Sequence, residues 1–356
     1  MLGFITGVIF SFAMTLIILP ILIRFAKANQ LYVPINYRRI HHRNISALGG
    51  LAIFASPVLS FVLFSDIVNF PDYRYIFGSG LLMYMMGFYD DLYEVRYGVK
   101  ILVQTVAAAM LVFLAGVYIH FLQHYIAAPY GLLADQFTTL ALMLLIINAY
   151  NLIDGIDMSA ALVGFVVLSF LGVWFSLLDQ FDYGMALLAL AASLLAFMVY
   201  NYTPARIFMG DTGTMSIGLL MSFSLIKFDE INTLVHNAYS FQHAPAISFS
   251  LMSLIVFDLI RVGANRVLHA KSPFSPDKTH IHHWLIAINP SHVVGAFIIS
   301  GAILLQLLMT IALDRFLYSN WTLILLNVLF LLAFYALIYS LRLHKTKSNS
   351  KLNSLS

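Results

Sequence analysis

Long apolar runs separated by short polar connections make up the chain. They fall at 2–26, 47–65, 73–89, 99–120, 136–153, 159–178, 184–200, 213–228, 244–268, 291–312 and 320–341. A helix that crosses the hydrocarbon core of a bilayer needs about 20 apolar residues. Most runs meet that length, and those at 136–153 and 213–228 are short for a full crossing. A membrane barrel would instead show segments of about ten residues that are apolar at alternate positions, and these runs are apolar at consecutive positions. The pattern predicts an all-α, polytopic integral membrane protein with about 11 transmembrane helices.

Composition removes the alternatives. Of 356 residues, 61% are hydrophobic and 10% charged, against about 25% charged in soluble domains. No segment is long and polar enough to form a separate water-soluble domain. We expect one transmembrane domain over 1–344 and a polar, disordered tail over 345–356. The first 23 residues lack the basic start and cleavage site of a signal peptide, so they count as the first span. Absence of cysteine excludes disulfides, thiolate metal sites and thiol nucleophiles.

Sorting charge by side sets the orientation. With the N-terminus outside and the C-terminus cytoplasmic, 16 of the 19 Lys and Arg residues lie on the inner face, leaving Arg74, Lys227 and Arg315 outside. The acids of that inner face are concentrated. Asp90, Asp91, Asp154, Asp157 and Asp211 all sit at inner ends of apolar spans, where an unpaired charge is costly. One such aspartate is most simply a helix cap or a solvated end. Five on one face predict an acidic pocket stabilised by a hard cation, Mg²⁺ or Mn²⁺, with oxygen ligands.

Four motifs surround these acids: G-x-x-D-D at 87–91 with Lys100 beyond it, N-x-x-N-x-x-D-G-x-D at 148–157, F-M-G-D-T-G at 208–213, and H-I-H-H at 280–283. Asn148, Asn151 and Asp154 are spaced for one helical stripe and suit recognition of a polar ligand. Interhelical hydrogen bonding by Asn is the bland alternative, common in membrane bundles. The Gly-rich stretch at 208–213 leads into a helix whose backbone N–H groups favour phosphate. His280, His282 and His283 follow Lys278. They lack the i, i+4 spacing of a zinc site and suit phosphate binding or proton transfer.

At these residues the chain resembles the polyprenyl-phosphate N-acetylhexosamine-1-phosphate transferase family, with the motifs in the family's order from the first inward loop to the histidine loop. The H-I-H-H motif after S-P-F-S-P-D-K looks like the undecaprenyl-phosphate GlcNAc-1-phosphate transferases; the phospho-MurNAc-pentapeptide branch carries another histidine motif. Two departures stand out: Met158 and Ser159 replace the usual Gly-Leu, and Glu94 stands where relatives often have Asp.

The resemblance implies a Mg²⁺-dependent glycosyl-1-phosphate transferase in the bacterial inner membrane, with its active site facing the cytoplasm. UDP-N-acetylhexosamine would be the donor and undecaprenyl phosphate the acceptor, and the product would start cell-surface polysaccharides such as O-antigen. Homo-oligomerisation is left open, and nothing points to nucleic acid. By motif, Asp90 and Asp91 fall near the lipid phosphate, Asp211 is the magnesium ligand with Asp154 beside it, and Asp154 and Asp157 form the acidic pair of metal or catalytic roles. Asn201 and Phe208 fall where relatives hold uracil, and Lys100 falls in the cleft. A secondary transporter is the rival class, favoured by Asp258 inside the ninth span, which can instead pair with Arg261 one turn away. No internal repeat supports the transporter.

Overall fold

The computed structural model describes residues 2–32, 45–65, 72–235, 237–272, 279–317 and 319–353. Among them there are twelve α-helices and no strand: α1 (Leu2–Ala28), α2 (Gly49–Phe64), α3 (Tyr73–Tyr93), α4 (Tyr97–Ala109), α5 (Tyr130–Ile153), α6 (Ser159–Leu177), α7 (Phe181–Asn201), α8 (Gly210–Leu234), α9 (Ala244–Leu268), α10 (Ile281–Ile288), α11 (His292–Leu313) and α12 (Asn320–Asn353). Each of the eleven apolar runs coincides with a helix. The twelfth, α10, is an eight-residue piece inside the histidine connection. One π turn, Met110–Leu114, extends α4.

Among the described residues eight helices are long and apolar enough to cross a membrane: α1, α4 with its extension, α5, α6, α7, α9, α11 and α12. Of the other three runs, α2 is apolar but has only 16 residues. α3 and α8 carry charge at both ends: Arg74 and the Asp90–Asp91 pair on α3, Asp211 and Lys227 on α8. These two polar-ended helices pack side by side, and they carry most of the chemistry described below.

The chain divides into two compact units, Met1–Ser240 and Phe241–Ser356. In the first, α6, α7 and α8 are the most enclosed, and Tyr150, Phe175, Phe197 and Phe228 are fully buried. Small residues let the helices approach. Ser11 Oγ donates to the Ala189 carbonyl at 2.7 Å, and Ser60 Oγ to that of Gly7 at 2.6 Å. Such ties matter because lipid provides no hydrophobic drive for helix association. One end of the unit is fastened by Tyr183 Oη, which donates to Asp72 at 2.6 Å, and by Lys227, 3.1 Å from both Asp72 and Glu230. The motifs lie at the opposite ends of α3, α7 and α8.

The second unit holds α9 to α12. A buried polar group joins α11 to α12: Asn327 Nδ2 donates to Thr310 Oγ1 at 3.0 Å, and Gln306 Nε2 donates to the Asn327 carbonyl at 3.3 Å. Asp314, after α11, accepts the backbone N–H groups of Gln242 and His243 at 3.0 and 2.9 Å and fixes the start of α9.

Candidate active site

The start of α8 is the frame of the site. Backbone N–H groups in a helix's first turn have no intrahelical acceptor, and here a side chain from another helix supplies one. Asp91 Oδ1 accepts Asp211 N–H at 2.8 Å, while Oδ2 accepts Thr212 N–H at 3.0 Å and Thr212 Oγ1 at 2.6 Å. The chain's own carboxylate thus meets the positive end of the helix dipole at two of the N–H groups where phosphate is expected. Two glycines permit the approach. A Cβ on Gly87 would lie 2.5 Å from Thr212 Cα and N, and one on Gly210, whose φ is +71°, would lie 2.5 Å from Asp91 Oδ2. The spacing of G-x-x-D-D is that of a helix touching α8 at Gly87 and capping it one turn later.

With α8 so placed, Asp211 faces three other helices. Lys100, in the first turn of α4, donates to Asp90 Oδ2 at 2.5 Å and Asp211 Oδ2 at 2.8 Å. Asn151, in the last turn of α5, donates to Asp211 Oδ1 at 3.1 Å and Thr214 Oγ1 at 2.7 Å. Val95 N–H donates to Asp90 Oδ1 at 2.7 Å. α3, α4, α5 and α8 thus converge on two carboxylates that share one cation.

Among the described residues no group of three or more His, Asp or Glu side chains makes a ready metal site. The donor chemistry nevertheless fits Mg²⁺, which binds through one or two carboxylates completed by water and phosphate oxygens. Asp90 and Asp211 already direct oxygens at one cation, the Lys100 ammonium.

The other predicted residues divide. Asn148 Nδ2 donates to Gln104 Oε1 at 2.8 Å and the Leu144 carbonyl at 2.7 Å, so both amide hydrogens are used and the first of these bonds ties α5 to α4. Asn201 is buried, with Nδ2 donating to the Ile207 carbonyl at 2.8 Å and Oδ1 accepting Met158 N–H at 2.6 Å. It holds the loop that carries Phe208, whose backbone pairs with Ser46 and Gly49 and whose side chain is half-buried. Asp157 is buried and accepts Thr203 Oγ1 at 2.9 Å. Asp154 caps the end of α5, half-buried, one turn beyond Asn151. Met158 takes φ of +66° where the resemblance leads one to expect glycine, so the loop keeps the left-handed turn without it.

The histidines belong to the second unit. His280 precedes α10 and is hydrogen-bonded to Asp258 at 2.7 Å, which also accepts Arg261 at 2.7 Å. Asp258 is thus paired within its unit, and the feature that favoured a transporter is accounted for. His282 is buried, its ring parallel to that of His280 at 5.7 Å; burial, then the neighbouring His283 and His280, push its pKa down to about 3. His283 lies 4.3 Å from His282, ring to ring. Lys278 lies outside the described residues.

Thr212, Thr214 and Gln104 were missed by sequence reasoning. The hydroxyls were visible in the D-T-G-T of the α8 start, a composition typical of helix N-termini. Gln104 had no local signal.

A family profile described as Glycosyl transferase family 4 matches residues 73–229, the stretch from α3 through most of α8. The chain is 32% identical to a Bacillus subtilis protein described as a probable undecaprenyl-phosphate N-acetylglucosaminyl 1-phosphate transferase, over 84% of this chain and 82% of the relative. It is 27% identical to the undecaprenyl-phosphate alpha-N-acetylglucosaminyl 1-phosphate transferase of Yersinia pestis, over 84% and 80%. With the decaprenyl-phosphate N-acetylglucosaminephosphotransferase of Mycobacterium leprae it shares 30% identity, over 72% and 70%. With relatives matched over most of the chain and the motifs assembled as above, the chain belongs to glycosyl transferase family 4, the polyprenyl-phosphate N-acetylhexosamine-1-phosphate transferases.

Proposed function

We propose that the protein transfers GlcNAc-1-phosphate from UDP-GlcNAc to undecaprenyl phosphate, releasing UMP. The observation that carries this reading is the convergence of Asp90, Lys100, Asn151 and Asp211 from four helices at one end of the first unit. An apolar bundle suits the lipid acceptor. The paired carboxylates suit a diphosphate held through a cation.

In the reaction, an oxygen of the lipid phosphate attacks the sugar-linked phosphorus. The bond from that phosphorus to the bridging oxygen breaks, and UMP leaves with the bond's electrons. The second pKa of a phosphomonoester is about 6, so the nucleophile is largely dianionic at neutral pH and needs little help from a base. Positioning and charge neutralisation dominate, as in phosphoryl transfers generally. Asp90 is the residue we assign to orienting the nucleophile, because the oxygens of Asp91 are already taken up in capping α8. Lys100 supplies positive charge to the phosphates. Asp211 and Asp90, with Asp154 nearby in sequence to Asn151, would hold Mg²⁺, which when bound neutralises charge on the diphosphate. The family's second donor class, UDP-MurNAc-pentapeptide, is disfavoured by the H-I-H-H motif.

We further assign eleven crossings with the N-terminus outside and the site at the cytoplasmic face of the bacterial inner membrane. The 16 to 3 division of Lys and Arg supports this orientation. The test of function is UMP release by purified protein given undecaprenyl phosphate, Mg²⁺ and a panel of UDP-sugars. Release is expected with UDP-GlcNAc. Release with another UDP-HexNAc alone would correct the donor, and none with any UDP-HexNAc would remove the assignment.

A further inference from the structure

The second unit contains a buried carboxylate with no part in the mechanism above. Asp258 on α9 is 3% exposed. Its Oδ1 accepts Arg261 Nη2 at 2.7 Å, Ile281 N–H at 3.1 Å and Tyr335 Oη at 3.1 Å. Oδ2 meets His280 Nδ1 at 2.7 Å. One side chain therefore joins α9, the start of α10 and α12. Arg261 is itself pinned, with its guanidinium 4.4 Å from the Trp284 ring centroid and its Nη2 donating to the Thr279 carbonyl at 2.6 Å.

A tie between helices needs no particular imidazole nitrogen, but the surroundings of His280 select one. A guanidinium only donates hydrogen bonds, and Arg266 Nη2 lies 3.4 Å from His280 Nε2, so Nε2 presents its lone pair. An ionised carboxylate only accepts, so Nδ1, facing Asp258, carries the proton. The two partners require the same tautomer.

We propose that Asp258 is a positioning residue for His280: it holds the proton on Nδ1 and so keeps Nε2 the basic nitrogen, which beside Arg266 takes a proton from a phosphate-bearing ligand and, as the imidazolium, donates it back in a hydrogen bond to the ligand's oxygen. A carboxylate on the far nitrogen fixes both the tautomer and the orientation of a functional imidazole. His282 has no such arrangement: its Nδ1 is buried without a hydrogen-bond partner.

The decisive variant is Asp258→Asn, equal in size. Three donors already converge on the Oδ1 position, so the amide oxygen takes that place and the NH₂ faces His280 Nδ1. Nδ1 must then accept, and the proton moves to Nε2, against Arg266. Histidine-labelled ¹⁵N protein in nanodiscs, with the His280 signals identified by their loss in His280→Gln, reads the tautomer directly. The expected result is Nδ1–H in the wild type and Nε2–H in Asp258→Asn. For turnover, which rests on the transfer reaction proposed above, kcat should fall about 10- to 100-fold with KM for UDP-GlcNAc unchanged, and Asp258→Glu should recover part of it. An Nε2–H wild type, an unchanged tautomer in folded Asp258→Asn, or a changed tautomer with full kcat would each overturn the proposal. If Asp258→Asn does not fold, the wild-type tautomer decides alone. A wild type that turns over no UDP-sugar would defeat the transferase reading while the tautomer measurement still judged this one.

Discussion

Asp91 gives the sharpest separation between a chemical and an architectural role. By motif it falls with Asp90 near the lipid phosphate, yet its two oxygens accept three donors at the start of α8, at 2.8, 3.0 and 2.6 Å. Replacing it with Ala frees all three. Hydrogen bonds to a charged group contribute about 1.5–3 kcal/mol each, so the low end gives about 4–5 kcal/mol for the set. Water reaching the freed donors would recover part, leaving a loss of about 3 kcal/mol. Over the 240 residues of the first unit, an unfolding entropy of about 2.1 cal/mol/K per residue turns that loss into about 6 °C of Tm. Asp91→Ala should therefore lower the thermal midpoint in detergent by about that amount as well as reducing UMP release. Asp90→Ala, which frees one N–H and leaves Lys100 its bond to Asp211, should abolish release with less than half the shift. An Asp91→Ala protein with wild-type Tm and no activity would refute the capping role and point to a direct part for Asp91 in the chemistry.

Three further outcomes are expected. Gly87→Ala drives a Cβ to 2.5 Å from Thr212 backbone atoms; overpacking costs about 1–3 kcal/mol, and the separation of α3 from α8 should cut UMP release at least about tenfold by misplacing Asp211, so wild-type turnover would contradict the tight contact. Lys100→Met removes the cation shared by Asp90 and Asp211. Its Tm should fall in EDTA and recover in part with Mg²⁺, and indifference to Mg²⁺ would count against these carboxylates as a cation site. His282 stays neutral in the folded protein, with its pKa near 3, whereas in the unfolded chain it gains a proton near 6.5. Below pH 6.5 the unfolded state binds more protons, so stability falls with pH by up to about 1.4 kcal/mol per unit until about pH 3. Melting curves from pH 7 to 4.5 should show a smaller loss for His282→Gln, and equal losses would refute its buried neutrality.

The helices were legible because each is a continuous apolar run, and even the polar-ended α3 and α8 stand out between charged connections. α10 was not, since its eight residues lie among prolines and histidines that read as a loop. The acids gathered at the ends of apolar runs pointed to the end of the first unit where Asp90, Lys100, Asn151 and Asp211 meet. What the sequence did not disclose was the division of labour. Asn148 and Asn151 share a helical stripe, but one meets Gln104 on α4 and the other Asp211 on α8, and that depends on which neighbours flank α5. The Asp91 cap joins residues 120 positions apart, so the spacing within G-x-x-D-D could not name its partner. Asp258 was visible as a buried acid beside Arg261, while its bonds to His280 and Tyr335 come from chain far away in sequence.

The central claim is that the carboxylates joined by Lys100 form the transfer site. It is tested most directly by transfer of radiolabelled GlcNAc-phosphate from UDP-GlcNAc to undecaprenyl phosphate in wild type and Asp211→Asn, compared at equal thermal stability. The wild type should form a lipid-extractable labelled diphosphate in the presence of Mg²⁺, and the folded Asp211→Asn protein should form essentially none. Labelled lipid produced by Asp211→Asn at the wild-type rate would place the chemistry elsewhere in the molecule.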